Sequence, residues 1–305
     1  YIKQLGFGAS CRVLLVNDNN DESKLYALKE MQISDQLNRL LFNTEYKILN
    51  ILAGHQNIIS YHSSYIDKNC YYLSTTYCSG GTMLDRIIKQ GHFNELQCSE
   101  FIKNVLTGIN YMHSKNIVHR DIKCENLIFD KEGKNGQVKI IDFGNSEIIN
   151  HPKEIDKILI GSLHYLPPEM LSTAVRIKEE LYKGDMWAIG VVCYILVSGK
   201  VPFYGNNQSE TLECIKQGQF AWPENVELSD SCRDFISSLL QLDVDKRFTA
   251  EEALQHPWIS QKGKATNTDF GDKHLNQIQL FSTANKLQKI LINAILSEMD
   301  KTEKK

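Results

Sequence analysis

The stretch His119-Arg120-Asp121-Ile122-Lys123-Cys124-Glu125-Asn126 constrains this chain more than any other feature, together with Asp142-Phe143-Gly144, which begins sixteen residues after Asn126. It sets a potential base (Asp121), a lysine (Lys123) and two metal-binding side chains (Asn126 and Asp142) in fixed register. Moving a highly charged group needs these types together: a base, a neutralising cation and oxygen ligands for a metal ion. Between the motifs, Leu127 to Phe129 and Val138 to Ile141 read as a small β unit around the turn Lys131-Glu132-Gly133-Lys134-Asn135-Gly136.

The first 75 residues read mainly as strands with one helix. Cys11 to Val16 and Leu25 to Met31 are β-prone runs separated by the turn-rich Asn17-Asp18-Asn19-Asn20-Asp21. Leu41 to Leu52 has helical spacing, with Leu41, Tyr46 or Ile48, Leu49 and Leu52 near one face. Tyr61 to Tyr65 and Cys70 to Thr76 alternate like a hairpin, and Gly80-Gly81 marks a break. From Leu84 the chain turns mostly helical, with an amphipathic helix over Phe101 to His113. Residues 260 to 270 have linker composition, and there is no internal repeat.

A length of 305 residues suits one large or two modest domains. The net charge of −3 gives no reason to expect nucleic acid or a membrane surface as the main partner. No apolar run approaches the ~20 residues of a transmembrane helix. The longest, around Trp187 to Val197, is interrupted by Gly190 and reads as a buried helix. Eight cysteines show neither a C-x-x-C pair nor zinc spacing, which suits scattered thiols in a reducing cytoplasm. Tyr1 begins almost inside a glycine motif, so the natural N-terminus, with any targeting signal, is expected to lie upstream.

The two motifs are the known signature H-R-D-x-x-x-x-N plus D-F-G, and residues 1 to 259 resemble a eukaryotic serine/threonine protein kinase. The resemblance implies an α+β, bilobal fold: a small antiparallel β-sheet lobe with one helix, then a larger, mainly helical lobe. It divides the chain into an N-lobe (1–75), a hinge (76–80), a C-lobe (81–259) and a linker with a C-terminal helix (260–305). ATP and Mg²⁺ are the implied cofactors. Gly6-Phe7-Gly8-Ala9-Ser10-Cys11 resembles the glycine-rich loop, whose glycines let backbone N–H groups approach phosphate; the third glycine is Cys11 here. Lys29 is expected on the α and β phosphates, paired with Glu45; Glu30 competes for that role but points the other way on its strand. Asp142 and Asn126 are expected to hold Mg²⁺, Asp121 to accept the hydroxyl proton, and Lys123 to neutralise the transferred group. Leu5, Val13 and Ala27 would roof the adenine pocket and Ile128 floor it. Thr75 falls at the gatekeeper position, with Thr76, Tyr77 and Cys78 as the hinge. Leu49, Tyr61, His119 and Phe143 would stack as a spine joining the lobes.

Lys123 two places after Asp121, and Gly161-Ser162 before Pro167-Pro168-Glu169, are the serine/threonine form. Glu169 is expected to pair with Arg247, and Asp185 to anchor the catalytic loop. Asp245 to Leu254 and His256-Pro257-Trp258-Ile259 resemble the calcium/calmodulin-dependent group. Members often prefer basic residues before the target hydroxyl. Glu125 is present for this, whereas the usual glutamate after the paired glycines is Thr82. The segment Asn145 to Leu166 contains no threonine. Glu154 or Asp156 is expected to give Arg120 its anion, making activity independent of phosphorylation there.

From Leu275 to Met299 the apolar positions form one helical stripe. This stretch resembles the regulatory junction of calcium-dependent protein kinases, which carry calmodulin-like EF-hands on the same chain. Residues 272 to 305 hold six lysines against two aspartates and two glutamates, only mildly basic for a calmodulin target. An intramolecular calmodulin-like domain, calmodulin itself, or simple packing on the large lobe are the readings of residues 272–300. No D-x-D-x-D-G loop occurs, so calcium sensing does not reside in these residues.

Overall fold

The computed structural model describes residues 1–7, 11–33, 36–90, 93–149, 162–171, 178–222 and 226–261. Gly8, Gly161, Glu154, Asp156 and the helical pattern at 272–300 lie outside the described residues.

The N-terminal part is one antiparallel sheet in the order β1-β2-β3-β5-β4, from β1 (Lys3–Phe7), β2 (Cys11–Asn17), β3 (Leu25–Gln32), β4 (Tyr61–Ile66) and β5 (Cys70–Thr76). Helix α1 (Gln36–Ile51) separates β3 from β4. It buries Phe42, Glu45, Ile48 and Leu49. It begins five residues before the stretch expected from spacing, because Leu37 and Leu40 in its first turns stay exposed and add nothing to the buried stripe. Strand β1 escaped sequence reading altogether, since an edge strand with mostly exposed residues shows no alternation.

After β5 the chain turns through Gly80-Gly81 onto α2 (Met83–Gln90). Gly80 N–H donates to the Phe129 carbonyl and Phe129 N–H to the Gly81 carbonyl, at 3.1 and 3.0 Å. A Cβ on Gly80 would lie 2.6 Å from the Phe129 Cβ, so only glycine lets the connection sit this close. Helix α3 (Glu95–Ser114) starts at a capping box formed by Asn94 and Gln97, six residues before its expected start. Then come β6 (Ile117–Val118), β7 (Leu127–Phe129), β8 (Val138–Ile140) and β9 (Glu147–Ile148), pairing as β7-β8 and β6-β9. Among the described residues the remaining α-helices are α4 (Lys178–Ser198), α5 (Gln208–Gln217), α6 (Asp230–Leu239), α7 (Ala250–Gln255) and α8 (Pro257–Ser260).

Helix α4 is long and apolar enough, by length and composition alone, to cross a membrane. Here it is buried along most of its length and packs against α3 and α6. One continuous apolar core runs from Met31 and Phe42 through Leu106, Phe129 and Phe143 to Trp187 and Trp258. The architecture is the bilobal α+β arrangement expected, and its two parts meet over a cleft.

Candidate active site

The cleft has a volume of about 490 Å³, within the range of small-molecule sites. Register decides which side chains enter it. Ala27 lies opposite Thr75 and Leu15, and Lys29 opposite Leu73 and Val13. Strand alternation puts Ala27 and Lys29 on one face and Glu30 on the other. Glu30 instead takes Arg12 through two bonds of 2.9 and 3.0 Å. Lys29 Nζ reaches Glu45 Oε2 at 2.7 Å and Asp142 Oδ1 at 2.8 Å. Burial alone would depress the Lys29 ammonium, but Asp142 and Glu45 outweigh it and hold its pKa well above the ordinary value. Burial lifts the Glu45 carboxyl, against the pull of Lys29. Its second oxygen accepts the Phe143 N–H at 3.4 Å.

Leu5, Gly6, Val13, Ala27, Lys29, Glu45, Thr75, Thr76, Cys78, Asn126, Ile128 and Asp142 all line this cleft. A Cβ on Gly6 would meet no atom within 4 Å, so internal packing does not explain that glycine; the space around it is open. Cys11, at the third glycine position, also lines the wall. Burial pushes the Cys78 thiol up to about 11, keeping it neutral. Sequence reasoning had not put Ile59, Leu73, Ile141 or Asp85 on the wall. Ile141, directly before Asp142, was the one with a signal within the motif.

Asp121 and Lys123 do not line the cleft; they are buried beside it, and Asp121 borders a separate cavity of about 30 Å³. Lys123 Nζ lies 2.5 Å from Asp121 Oδ2 and 3.2 Å from Ser162 Oγ. Ser162 Oγ donates to Asp121 Oδ1 at 3.4 Å. Asn126 Nδ2 donates to the Asp121 carbonyl and carboxylate at 2.8 and 3.1 Å, which leaves its amide oxygen as the atom for a cation. Burial works against the Lys123 charge, yet Asp121 and Glu125 raise its pKa. The loop is held from behind by Asp185 on α4, whose two oxygens accept the His119 and Arg120 N–H groups, each at 2.9 Å. His119 accepts the Asp121 N–H on Nδ1 and bonds the Ile141 carbonyl through Nε2, which requires the Nε2–H tautomer. Burial lowers its pKa, consistent with a neutral ring. Its ring meets Phe143 edge-on at 5.3 Å, and Leu49 is fully buried. Tyr61 is only partly buried and meets Tyr46 edge-on at 5.6 Å. Arg120 and Asp142 hold positive φ angles of 65° and 66°, unfavourable for residues with a Cβ and kept only where the surroundings over-determine them.

Glu169 and Arg247 pair through two bonds of 2.6 and 2.9 Å, with the guanidinium over the Trp187 ring. Arg120 forms an ion pair with Glu147, a residue sequence reading did not single out. Among the described residues no cluster of three His, Cys, Asp or Glu side chains could hold a metal alone. The donors Asp142 and Asn126 are oxygen ligands facing one cleft, which fits Mg²⁺ sharing its coordination with phosphate oxygens and water.

Residues 1–259 match the protein kinase domain family. The chain is similar to calcium-dependent protein kinase 10 of Oryza sativa subsp. japonica, 32% identical over 264 residues that cover 85% of this chain and 43% of the relative. It is similar to calcium-dependent protein kinase 3 of Plasmodium yoelii yoelii, 35% identical over 261 residues, 84% of this chain and 47% of the relative. A calcium and calcium/calmodulin-dependent serine/threonine-protein kinase of Pisum sativum is 33% identical over 286 residues, 92% of this chain and 53% of the relative. The chain spans about half the length of the curated relatives it matches. A match that runs through both lobes and every motif lining or bordering the cleft leaves one assignment: the chain belongs to the protein kinase domain family.

Proposed function

We propose that this chain is a serine/threonine protein kinase, transferring the γ-phosphate of ATP to protein hydroxyls. The observation that carries the reading is a pair of engagements, one in the cleft and one buried beside it: Lys29 with Glu45 and Asp142, and Asp121 with Lys123, Asn126 and Ser162. The apolar walls around Ala27, Ile128 and Thr75 suit a flat purine. Lys29, aimed by Glu45, binds the α and β phosphates. Asp121 orients the attacking hydroxyl and accepts its proton. Lys123, already against Asp121, compensates charge on the group in transit. Asp142 and Asn126 hold Mg²⁺, which when bound neutralises phosphate charge. Ser162 ties the segment before Pro167 to the same aspartate, which supports a serine or threonine acceptor. In this reading residues 1–75 and 81–259 are the two lobes, with 76–80 as hinge.

The test is ATP-dependent phosphorylation of a basic serine peptide and a matched tyrosine peptide. Serine labelling that disappears in Lys29→Met and Asp142→Asn is expected. Nucleotide binding without transfer to any peptide would make the chain a pseudokinase binding module.

We further propose calcium regulation through residues 272–300. The relatives are named as calcium-dependent or calcium/calmodulin-dependent kinases, and one alignment of 286 residues is longer than the 259-residue family match. An intramolecular calmodulin-like domain outside this chain is favoured over calmodulin by the mild charge of the segment. A chain ending at Lys264 is expected to be faster than residues 1–305. Equal rates, with and without calcium and calmodulin, would remove this part of the proposal.

A further inference from the structure

Helix α5 meets the loop before it over a groove of about 320 Å³ that shares no residue with the nucleotide cleft. The loop is anchored on both sides of Tyr204. Phe203 is fully buried, with its ring stacked 5.2 Å from Trp187. Gly205 N–H donates to Thr211 Oγ1 at 3.1 Å, and a Cβ on Gly205 would come 2.4 Å from the Glu210 Cβ. Tyr204 between them is 69% exposed, although it lines the groove. So large an aromatic side chain, held outward by two fixed neighbours, adds little to the core. Two carboxylates line the same groove, and no lysine or arginine does. Glu210 is structural: its Oε2 accepts the Asn206 backbone and side-chain N–H groups, each at 2.8 Å, and its Oε1 the Asn207 amide at 2.9 Å. Glu213 accepts only the Gln217 amide, on Oε1 at 2.7 Å, and its Oε2 has no partner among the described residues.

The groove adjoins the segment that follows Ser162. His164 Nδ1 donates to the Phe203 carbonyl at 3.3 Å, and α5 packs against Leu163–Tyr165 and Pro168–Leu171. Ser162 itself bonds Asp121. We propose that this groove is a docking surface for protein substrates, in which Tyr204 and Glu213 receive an arginine side chain remote from the phosphorylated residue. A guanidinium is planar, stacks on an aromatic face and pairs its N–H fork with a carboxylate. The groove offers one exposed ring and one open carboxylate oxygen. Its charge is complementary too, with two carboxylates and no cation on the wall. A lysine ammonium would reach Glu213 but lacks the flat face that stacks on Tyr204. That the occupant is a substrate rests on the phosphotransfer reading; the arginine site itself does not.

The experiment uses the full chain and fluorescently labelled serine peptides on an alanine background. A single arginine is stepped through the positions on either side of the serine. Peptide affinity is read by anisotropy without ATP, and KM and kcat by transfer. Arginine at one distance from the serine is expected to tighten binding by about five- to twentyfold over the peptide without it, and lysine there by less. Tyr204→Ala and Glu213→Gln each abolish most of the gain, and in transfer the loss falls on peptide KM rather than on kcat. Glu213→Arg reverses the preference, so that glutamate in place of the arginine now binds better. ATP affinity and thermal midpoint stay at wild-type values. Three results overturn the proposal: no arginine position that tightens binding, a gain that survives both Tyr204→Ala and Glu213→Arg, or a gain lost together with the midpoint. If the wild-type chain transfers no phosphate, the proposed function fails and anisotropy alone decides: a gain lost in the variants upholds the arginine site, and no gain sinks it.

Discussion

Lys29 keeps its charge in surroundings that work against it. Burial disfavours the ammonium, and the two carboxylates at 2.7 and 2.8 Å reverse the balance. Lys29→Met is expected to cut kcat/KM by about 10²- to 10³-fold, the loss seen when one preorganised charge-stabilising donor is removed. A steady-state assay with a serine peptide measures it. Little change would mean that the lysine is architectural. Lys29, Asp121, Lys123, Asn126 and Asp142 were legible in the sequence because each sits in a short motif. The choice of Glu45 over Glu30 was also legible, because strand alternation alone turns Glu30 away. Glu147 was not legible, since its ion pair depends on a two-residue strand pairing that leaves no periodic trace.

Among the elements, α4 carries the most. It presents Asp185 to the loop that bears Asp121 and packs on α6 through Gly190. A Cβ on Gly190 would come within 2.8 Å of Leu240 Cδ2 and 2.9 Å of Leu239 Cβ. Gly190→Ala is therefore expected to destabilise by about 1–3 kcal/mol through overpacking, read as a lower urea midpoint. An unchanged midpoint would mean that α6 shifts freely. Asp185 supplies a pH dependence. Burial pushes its carboxyl up, but His113, His119 and the loop N–H groups prevail and its pKa is lowered. A depressed carboxylate adds stability above its unfolded value of about 3.9, and that stability is lost as pH falls through the lower folded value. The stability deficit of Asp185→Asn should hold down to about pH 5 and shrink as pH falls below about 3.9. A deficit that stays constant would rule out the ionised form as its source. Long buried helices and paired strands were legible from periodicity. The starts of α1 and α3 and the strands β1, β6 and β9 were not: the first turn of α1 leaves its leucines exposed, that of α3 buries the polar Glu95, β1 is an exposed edge strand, and two-residue ladders carry no apolar pattern.

At the scale of the molecule, one apolar core passes beneath the cleft, and buried charges lock distant segments onto it. Arg247 is fully buried and depends on Glu169, 78 positions away. Glu169→Gln leaves that guanidinium without its carboxylate, and should cost about 3–5 kcal/mol of unfolding free energy in urea. A loss well under 1 kcal/mol would mean that the pair is solvated in solution. The central claim is that Asp121, engaged by Lys123, Asn126 and Ser162, performs transfer beside a cleft that other residues prepare for the nucleotide. Its most direct test is a single-turnover measurement on Asp121→Asn with ATP affinity measured alongside. The account predicts unchanged ATP affinity and a rate of transfer to a serine peptide lower by about 10²- to 10⁴-fold. Transfer at the wild-type rate would contradict it.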